Sequence, residues 1–322
     1  MIKFPILHRI LKYVFKLIVF LMLKNNYLFS GCLFLLMQLG VFAQSDLDSF
    51  LIADAKPAKV IASFKATRIV NAHSIETVRK GILDFRITHH FGDVAGNSGG
   101  VHTLYGFDNA SDIRFGFEYG ITDRLTAGFG RSKVAENLDF FLKYRLLQQT
   151  QDNSMPVSVT LFADMVLTPQ ENASAYAKFE NRMSYVYELL IARKFNERFT
   201  LQVMPLFLHR NYAANPNDHN DVFSLGVGGR LKLTKRFAII ADYYYTFSDY
   251  LTTTNSFYAP MGVGVEIETG GHVFQMFVTN NAGIIENNYI ANTRSSWGKG
   301  EFKIGFTISR DFAFNKKKKK TE

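Results

Sequence analysis

Residues 83–92 (LDFRITHHFG) set a pattern that most of the chain repeats. Leu83, Phe85, Ile87 and Phe91 share one parity, and Asp84, Arg86, Thr88 and His90 share the other. Period-two alternation puts these two sets on opposite faces of a β-strand, one apolar and one polar or ionic. Similar runs fall at 81–91, 111–121, 123–132, 137–148, 155–167, 179–194, 198–210, 221–233, 236–248, 259–269, 272–280 and 300–314. Most are long enough to cross a bilayer as tilted strands. Residues 60–72 could form a further strand, and 73–80 a turn or short helical piece.

The connections alternate in length. Short ones lie at 120–123, 195–198, 234–235 and 270–271, with a middling one at 149–154. Longer polar, Gly- and Asn-rich ones lie at 92–110, 168–178, 211–220, 249–258 and 281–299; the short 133–136 is the exception. Short turns at one end and long loops at the other are the signature of an antiparallel barrel of the outer membrane. Both termini at the periplasmic end require an even strand number, so the reading is a transmembrane β-barrel of about twelve strands. A fourteen-strand version would split 92–110.

The faces support this. Ile113, Phe115, Phe117 and Tyr119 on one strand, and Phe302, Ile304, Phe306 and Ile308 on another, form apolar sets fit for lipid. Opposite them stand Asp112, Arg114 and Glu118; Asp139, Lys143 and Arg145; Asp164; Glu188; Arg230 and Lys232; Asp242; Glu266 and Glu268; and Lys303 and Asp311. Charges of both signs on inward faces suit a wet or salt-bridged lumen, because unpaired charges in a dry sandwich core are prohibitive. A soluble sandwich turning those charges to water, a periplasmic all-β binding protein, is the competing architecture.

The leader sets the compartment. Residues 1–43 carry five Lys or Arg and no acid, with two apolar runs, the second ending Val41-Phe42-Ala43. This is a signal peptide cleaved after Ala43, with Met22 a possible start. A lipoprotein site at Cys32 and an uncleaved anchor are the rivals. The expected organisation is a signal peptide at 1–43, a periplasmic or lumen-packed segment at 44–80, a barrel at 81–314 and a Lys-rich disordered tail at 315–322. Composition agrees: 31 Phe and 15 Tyr suit strands and interfacial girdles. The formal charge of +9 resides in the leader and the tail, leaving a neutral body and no reason for a nucleic-acid partner. Cys32 is the single cysteine, so the exported part has no disulfide or thiolate chemistry.

Residues 64–92 (FKATRIVNAHSIETVRKGILDFRITHHFG) carry a more specific signal. The stretch resembles an uncharacterised family of Bacteroidota outer-membrane β-barrel proteins with the pattern F-K-[AS]-T-R-[IL] followed by L-D-F-R-I-[ST]-H-[RH]-F-G. The resemblance implies a membrane barrel, names no catalytic residue, and implies that 64–80 is specifically structured, packed in the barrel mouth or lumen. The aromatic-rich run 302–314 (FKIGFTISRDFAF), ending at Phe314, looks like the terminal strand read by barrel-insertion machinery, although the tail beyond it departs from that pattern.

Candidate chemistry is sparse. Asp84, Arg86, His90, Arg114 and Glu118 face inward from neighbouring strands and form either a selectivity constriction or a structural plug of ion pairs. His89 and His90 point to opposite faces and cannot share a metal locally. His89 could approach Ser98 or Ser111, but no motif surrounds either serine. His209 and His219 flank a loop with Asp218 and Asp221. Tyr243-Tyr244-Tyr245 reads as an interfacial girdle, and Gly226, Gly228 and Gly229 as a bend or narrow spot in the wall. No catalytic residue, metal site or cofactor is expected. The expected function is a channel or binding barrel for a small solute, with outer-membrane lipid around it; the alternative is a non-conducting component of an envelope complex with protein partners.

Overall fold

The computed structural model describes residues 57–171, 178–269 and 272–313. The leader, residues 44–56, the turn at Gly270-Gly271, Phe314 and the Lys-rich tail lie outside the described residues.

Among the described residues the alternating runs form β1 (Ile82–Asp93), β2 (Ala110–Thr122), β3 (Leu125–Ser132), β4 (Leu138–Leu147), β5 (Ser158–Leu167), β6 (Met183–Lys194), β7 (Phe199–Arg210), β8 (Asp221–Lys232), β9 (Phe237–Phe247), β10 (Met261–Thr269), β11 (His272–Thr279) and β12 (Lys303–Ala313). A short α-helix, α1 (Glu286–Asn292), and a 3₁₀ turn at Trp297–Lys299 lie between β11 and β12. Each strand pairs antiparallel with its sequence neighbours, and β1 pairs with β12 to close the barrel. Closure removes the unpaired edges that an open sheet would leave. No helix among the described residues is long and apolar enough to cross a membrane. The expected twelve strands and their faces are all present, while 94–109 is a loop with a 3₁₀ turn at Val101–Thr103, which removes the fourteen-strand alternative.

Burial follows the alternation. On β2, Asp112, Arg114 and Glu118 are buried while Phe115, Phe117 and Tyr119 are exposed on the outside. Tyr244 corrects the girdle reading: it points inward and is fully buried, whereas Tyr243 and Tyr245 face out. The lumen is also less uniformly ionic than expected. Val186, Leu190, Met204, Leu206 and Leu208 point inward and are buried, so the inner face of β6–β7 is largely apolar, with Glu188 and Gln202 set among these residues.

Two segments occupy the interior. Residues 60–72 add no barrel strand. Residues 64–78 instead form a hairpin, with an Arg68–His73 bridge and a tip at 69–72 closed by the Ile69 N–H donating to the Ala72 carbonyl at 2.8 Å. Phe64, Ile69, Val70, Ala72 and Ile75 of this hairpin are buried in one apolar cluster with the β6–β9 wall. The second segment corrects the reading of 281–299 as a polar outer loop. Ile284, Ile285, Tyr289, Ile290 and Ala291 are buried, and α1 sits inside the long-loop mouth.

The hairpin returns to β1 at the short-loop rim, where the Gly81 N–H donates to the Gly120 carbonyl at 2.8 Å. A Cβ on Gly120 would stand 2.1 Å from the Arg79 carbonyl oxygen. Gly120→Ala should therefore cost about 1–3 kcal/mol by overpacking against backbone. Gly229→Ala, whose Cβ would have nothing nearer than 3.5 Å, should be close to neutral. The temperature at which the SDS-resistant folded form is lost compares the two.

Candidate functional site

The hairpin lies outside the sheet, so its backbone needs partners that no ladder supplies. The wall supplies them with side chains. Asp242 on β9 accepts three N–H groups at the tip, from Val70 (3.0 Å), Asn71 (2.7 Å) and Ala72 (2.9 Å), and takes the Asn71 amide on its other oxygen at 2.7 Å. Gln202 on β7 accepts from the Ile75 N–H at 2.8 Å and donates to the His73 carbonyl at 2.7 Å. Thr126 accepts from the Val78 N–H, and Thr160 donates to the Ile75 carbonyl, both at 2.9 Å. Lys143 donates to the Glu76 and Thr67 carbonyls at 2.8 and 3.2 Å. Gly228 is where the wall makes room, since a Cβ there would meet the Ile69 side chain at 2.5 Å. Within the β8 glycine run only Gly228 faces the hairpin; the space at Gly226 is taken by Tyr244 and Met204.

Entry is secured at the short-loop rim. The Val60 N–H donates to the Gln149 carbonyl, and the Gln151 N–H to the Ala58 carbonyl, each at 2.8 Å. Glu76 pairs with Arg145 at 3.1 Å and accepts the Phe64 N–H at 3.1 Å, tying the two arms together.

At the other end the hairpin meets the inward loop. Arg68 reaches Glu286, the first residue of α1, at 3.2 Å, with both side chains buried. Tyr289 donates to the same Glu286 oxygen at 3.2 Å. His73 sits between the rings of Phe141 and Phe162, with Nε2 3.8 Å from Glu286. Burial, and then the charges of Arg68 and Lys143, hold its pKa well below the ordinary histidine value, so the ring is neutral. Burial raises the Glu286 carboxyl, and Arg68 opposes that rise. The loop is fixed to the wall by the Ile284 N–H donating to Asp112 at 2.9 Å and by the Asn287 amide donating to Ser184 at 3.2 Å.

The five inward residues singled out in the sequence are all buried but do not meet at one ring. Arg86 lies 3.4 Å from Asp84 and donates to Thr67 of the hairpin at 2.8 Å. Glu118 sits in the field of Arg86, Lys143 and Arg68. Arg114 turns away to a two-pronged ion pair with Asp139, its guanidinium lying over Gly116 and Gly130. His90 points at the inward loop, with Nδ1 3.2 Å from the Asn281 carbonyl oxygen. Asp84, Arg86 and Glu118 serve the hairpin, Arg114 the wall and His90 the inward loop. Asp242 was recognised in the sequence as inward-facing, but its clamp on the tip was not. Gln202 and Glu286 were not singled out. The one available signal for α1 was the apolar set Ile284, Ile285, Tyr289 and Ile290 inside an Asn-rich stretch. Elsewhere, His89 stacks on Phe306 on the outer wall, and His209 hydrogen-bonds Asp221 and Asn211 at the long-loop rim.

The Arg68–Glu286 pair joins hairpin to inward loop, and truncating one partner leaves a buried charge uncompensated. Arg68→Met should cost about 3–5 kcal/mol. Arg68→Met combined with Glu286→Gln should recover part of that loss, because no unpaired ion remains. Urea unfolding of the wild type, both single variants and the double variant measures the coupling.

No curated protein sequence matches this chain. Among solved structures it is similar to the NanC porin, with 10% identity over 71% of this chain and 98% of that one and a TM-score of 0.44. It is similar to the KdgM porin at 8% identity over 73% and 99%, with a TM-score of 0.42. It is similar to Salmonella typhi OmpF in complex with daunomycin at 10% identity over 72% and 97%, with a TM-score of 0.36. The family model of a membrane bound beta barrel domain (DUF5777) matches residues 64–312, a span that starts at the first buried aromatic of the hairpin and ends in β12. The chain belongs to this family of membrane-bound β-barrels, and the match takes in the hairpin together with the wall that encloses it.

Proposed function

We propose that this protein is an outer-membrane barrel of a Bacteroidota envelope, exported by the signal peptide at 1–43, that admits a small solute when the hairpin 64–78 leaves the lumen. At rest the barrel is closed. The observation that carries this reading is the hairpin itself, buried inside the barrel with its tip amides on Asp242.

Barrel size supports a removable closure. About eight strands leave an interior that wall side chains can fill, whereas a larger barrel encloses a cavity. The space within twelve strands is filled here by two inserted segments. Much of the hairpin is held through side chain-to-backbone hydrogen bonds, such as those of Gln202, Thr160 and Lys143, which water can replace as the hairpin leaves. The long-loop end is assigned to the cell exterior and the short-turn end to the periplasm by the loop asymmetry. Asp84, Arg86 and Glu118 would then line the opened path with mixed charge, favouring weak ion selectivity.

Conductance across planar bilayers tests the reading. Wild-type protein should be silent, with rare openings. Asp242→Asn removes a charge-assisted clamp worth about 1.5 kcal/mol or more, roughly tenfold in the closed-to-open ratio, and should open more often. A V70C/G262C pair should lock the hairpin. A Cβ on Gly262 would lie 3.1 Å from the Val70 Cβ, so a small shift reaches disulfide geometry. Oxidation should abolish the openings and reduction restore them. Free conductance by the oxidised pair would overturn the closure. Silence of every variant, with envelope proteins co-purifying, would favour the non-conducting structural role.

A further inference from the structure

The loop 94–109 between β1 and β2 stands apart from the hairpin and the lumen. It exposes four large apolar side chains in succession: Val101 at 76%, Leu104 at 58%, Tyr105 at 51% and Phe107 at 47%. Scattered exposed apolar residues are ordinary on a protein surface, but a contiguous set marks an interaction site.

The loop is held in this form. The Tyr105 N–H donates to the Gly100 carbonyl at 2.8 Å and the Leu104 N–H to the Val101 carbonyl at 3.1 Å. Leu104 and Tyr105 both lie in the left-handed region, at φ 47° and 54°, a conformation that costs a non-glycine residue about 1–2 kcal/mol. Gly106 presses onto the end of β1, accepting the Gly92 N–H at 2.9 Å, and a Cβ on Gly106 would stand 2.4 Å from the Gly92 oxygen. The apolar side chains are therefore presented by a defined backbone.

The ring contacts place Phe107, the last of the four, on the outer wall. Phe306 and His89 are outward residues of β12 and β1, and their rings stack at 5.4 Å. His89 meets Phe91 at 4.3 Å, and Phe91 meets Phe107 at 4.9 Å. The series climbs the outer wall and passes from strand to loop without a break. Beside it Trp297 stacks on Phe302 at 5.3 Å, just before β12 begins. The two bases are joined, since the Val94 N–H donates to the Phe302 carbonyl at 2.8 Å.

We propose that residues 101–107 form a membrane-anchoring flap, which inserts Val101, Leu104, Tyr105 and Phe107 into the lipid leaflet at the long-loop end and carries the apolar belt beyond the ends of β1 and β2. The occupant is lipid because the patch is continuous with the outward face of a membrane-bound barrel. Aromatic residues with a polar edge, here Tyr105, are those favoured at the membrane–water boundary. A surface apolar on this scale in a water-exposed loop would expose the protein to aggregation.

Fluorescence quenching tests the flap in the full-length protein, because Trp297 is the single tryptophan. W297F/V101W and W297F/L104W are each reconstituted in phosphatidylcholine vesicles with and without bromine on the acyl chains. W297F/N217W, in the exposed loop 211–220, is the aqueous control. The flap variants should lose a large part of their emission in brominated vesicles, resist aqueous iodide, and behave alike at high and low protein-to-lipid ratio. The control should show the reverse. Iodide quenching of both flap variants without loss to brominated lipid would overturn the proposal. Shielding that disappears on dilution of protein into lipid would also overturn it, by assigning the patch to a second copy. The two variants probe different positions, and resistance of each to cold SDS verifies its folding.

Discussion

Peptide groups placed inside a closed barrel must find hydrogen-bond partners that the barrel's own ladder has already used. That requirement shapes the interior of this protein. The hairpin 64–78 carries unpaired N–H and C=O groups into a low-dielectric space, where each orphan would cost about 1–3 kcal/mol. The wall answers with side chains at set heights: Thr126 near the short-loop rim, Gln202 and Thr160 midway, and Asp242 at the tip. Asp242 alone receives three backbone donors. A carboxylate is the side chain able to accept that many, which gives this inward acid a structural reason.

Burying the hairpin also commits the electrostatics. Arg68 enters the lumen as a charge and meets Glu286, which comes in from the opposite mouth on α1. Each segment supplies the counter-ion that makes the other tolerable, so hairpin and inward loop depend on one another. His73 lies beside the pair as a neutral ring between Phe141 and Phe162, adding packing without another ion. Loss of the Arg68–Glu286 contact would therefore leave a buried charge unpaired on whichever segment remains.

Strand number, faces and closure were legible in the sequence because a half-buried strand writes a period of two into its residues. The inward position of Asp84, Arg86, Arg114 and Glu118 was legible for the same reason. Their partners were not. Arg114 faces Asp139 across β3, where Gly116 and Gly130 leave room for its guanidinium, and that choice depends on the register of three strands. Residues 64–78 lack either period, because their contacts are made by backbone groups and by side chains on all sides. Alternation therefore left the lumen and the periplasm both open for them. The stretch 280–293 hid its apolar residues among asparagines, whose amides serve here as links to the wall. On β7, Leu206, Phe207 and Leu208 form an apolar run on both parities, a sign of two-sided burial, and the inner face at that height lies level with Thr246, which bonds the Ile290 carbonyl of α1.

The central claim is that the hairpin tip resides inside the barrel with its amides on Asp242. Amide hydrogen exchange of the folded, full-length protein, resolved at Val70, Asn71 and Ala72, measures this most directly. The account predicts protection comparable to that of the barrel wall and its collapse in Asp242→Asn. Exchange at the rate of a free peptide, with the wall amides still protected, would contradict it.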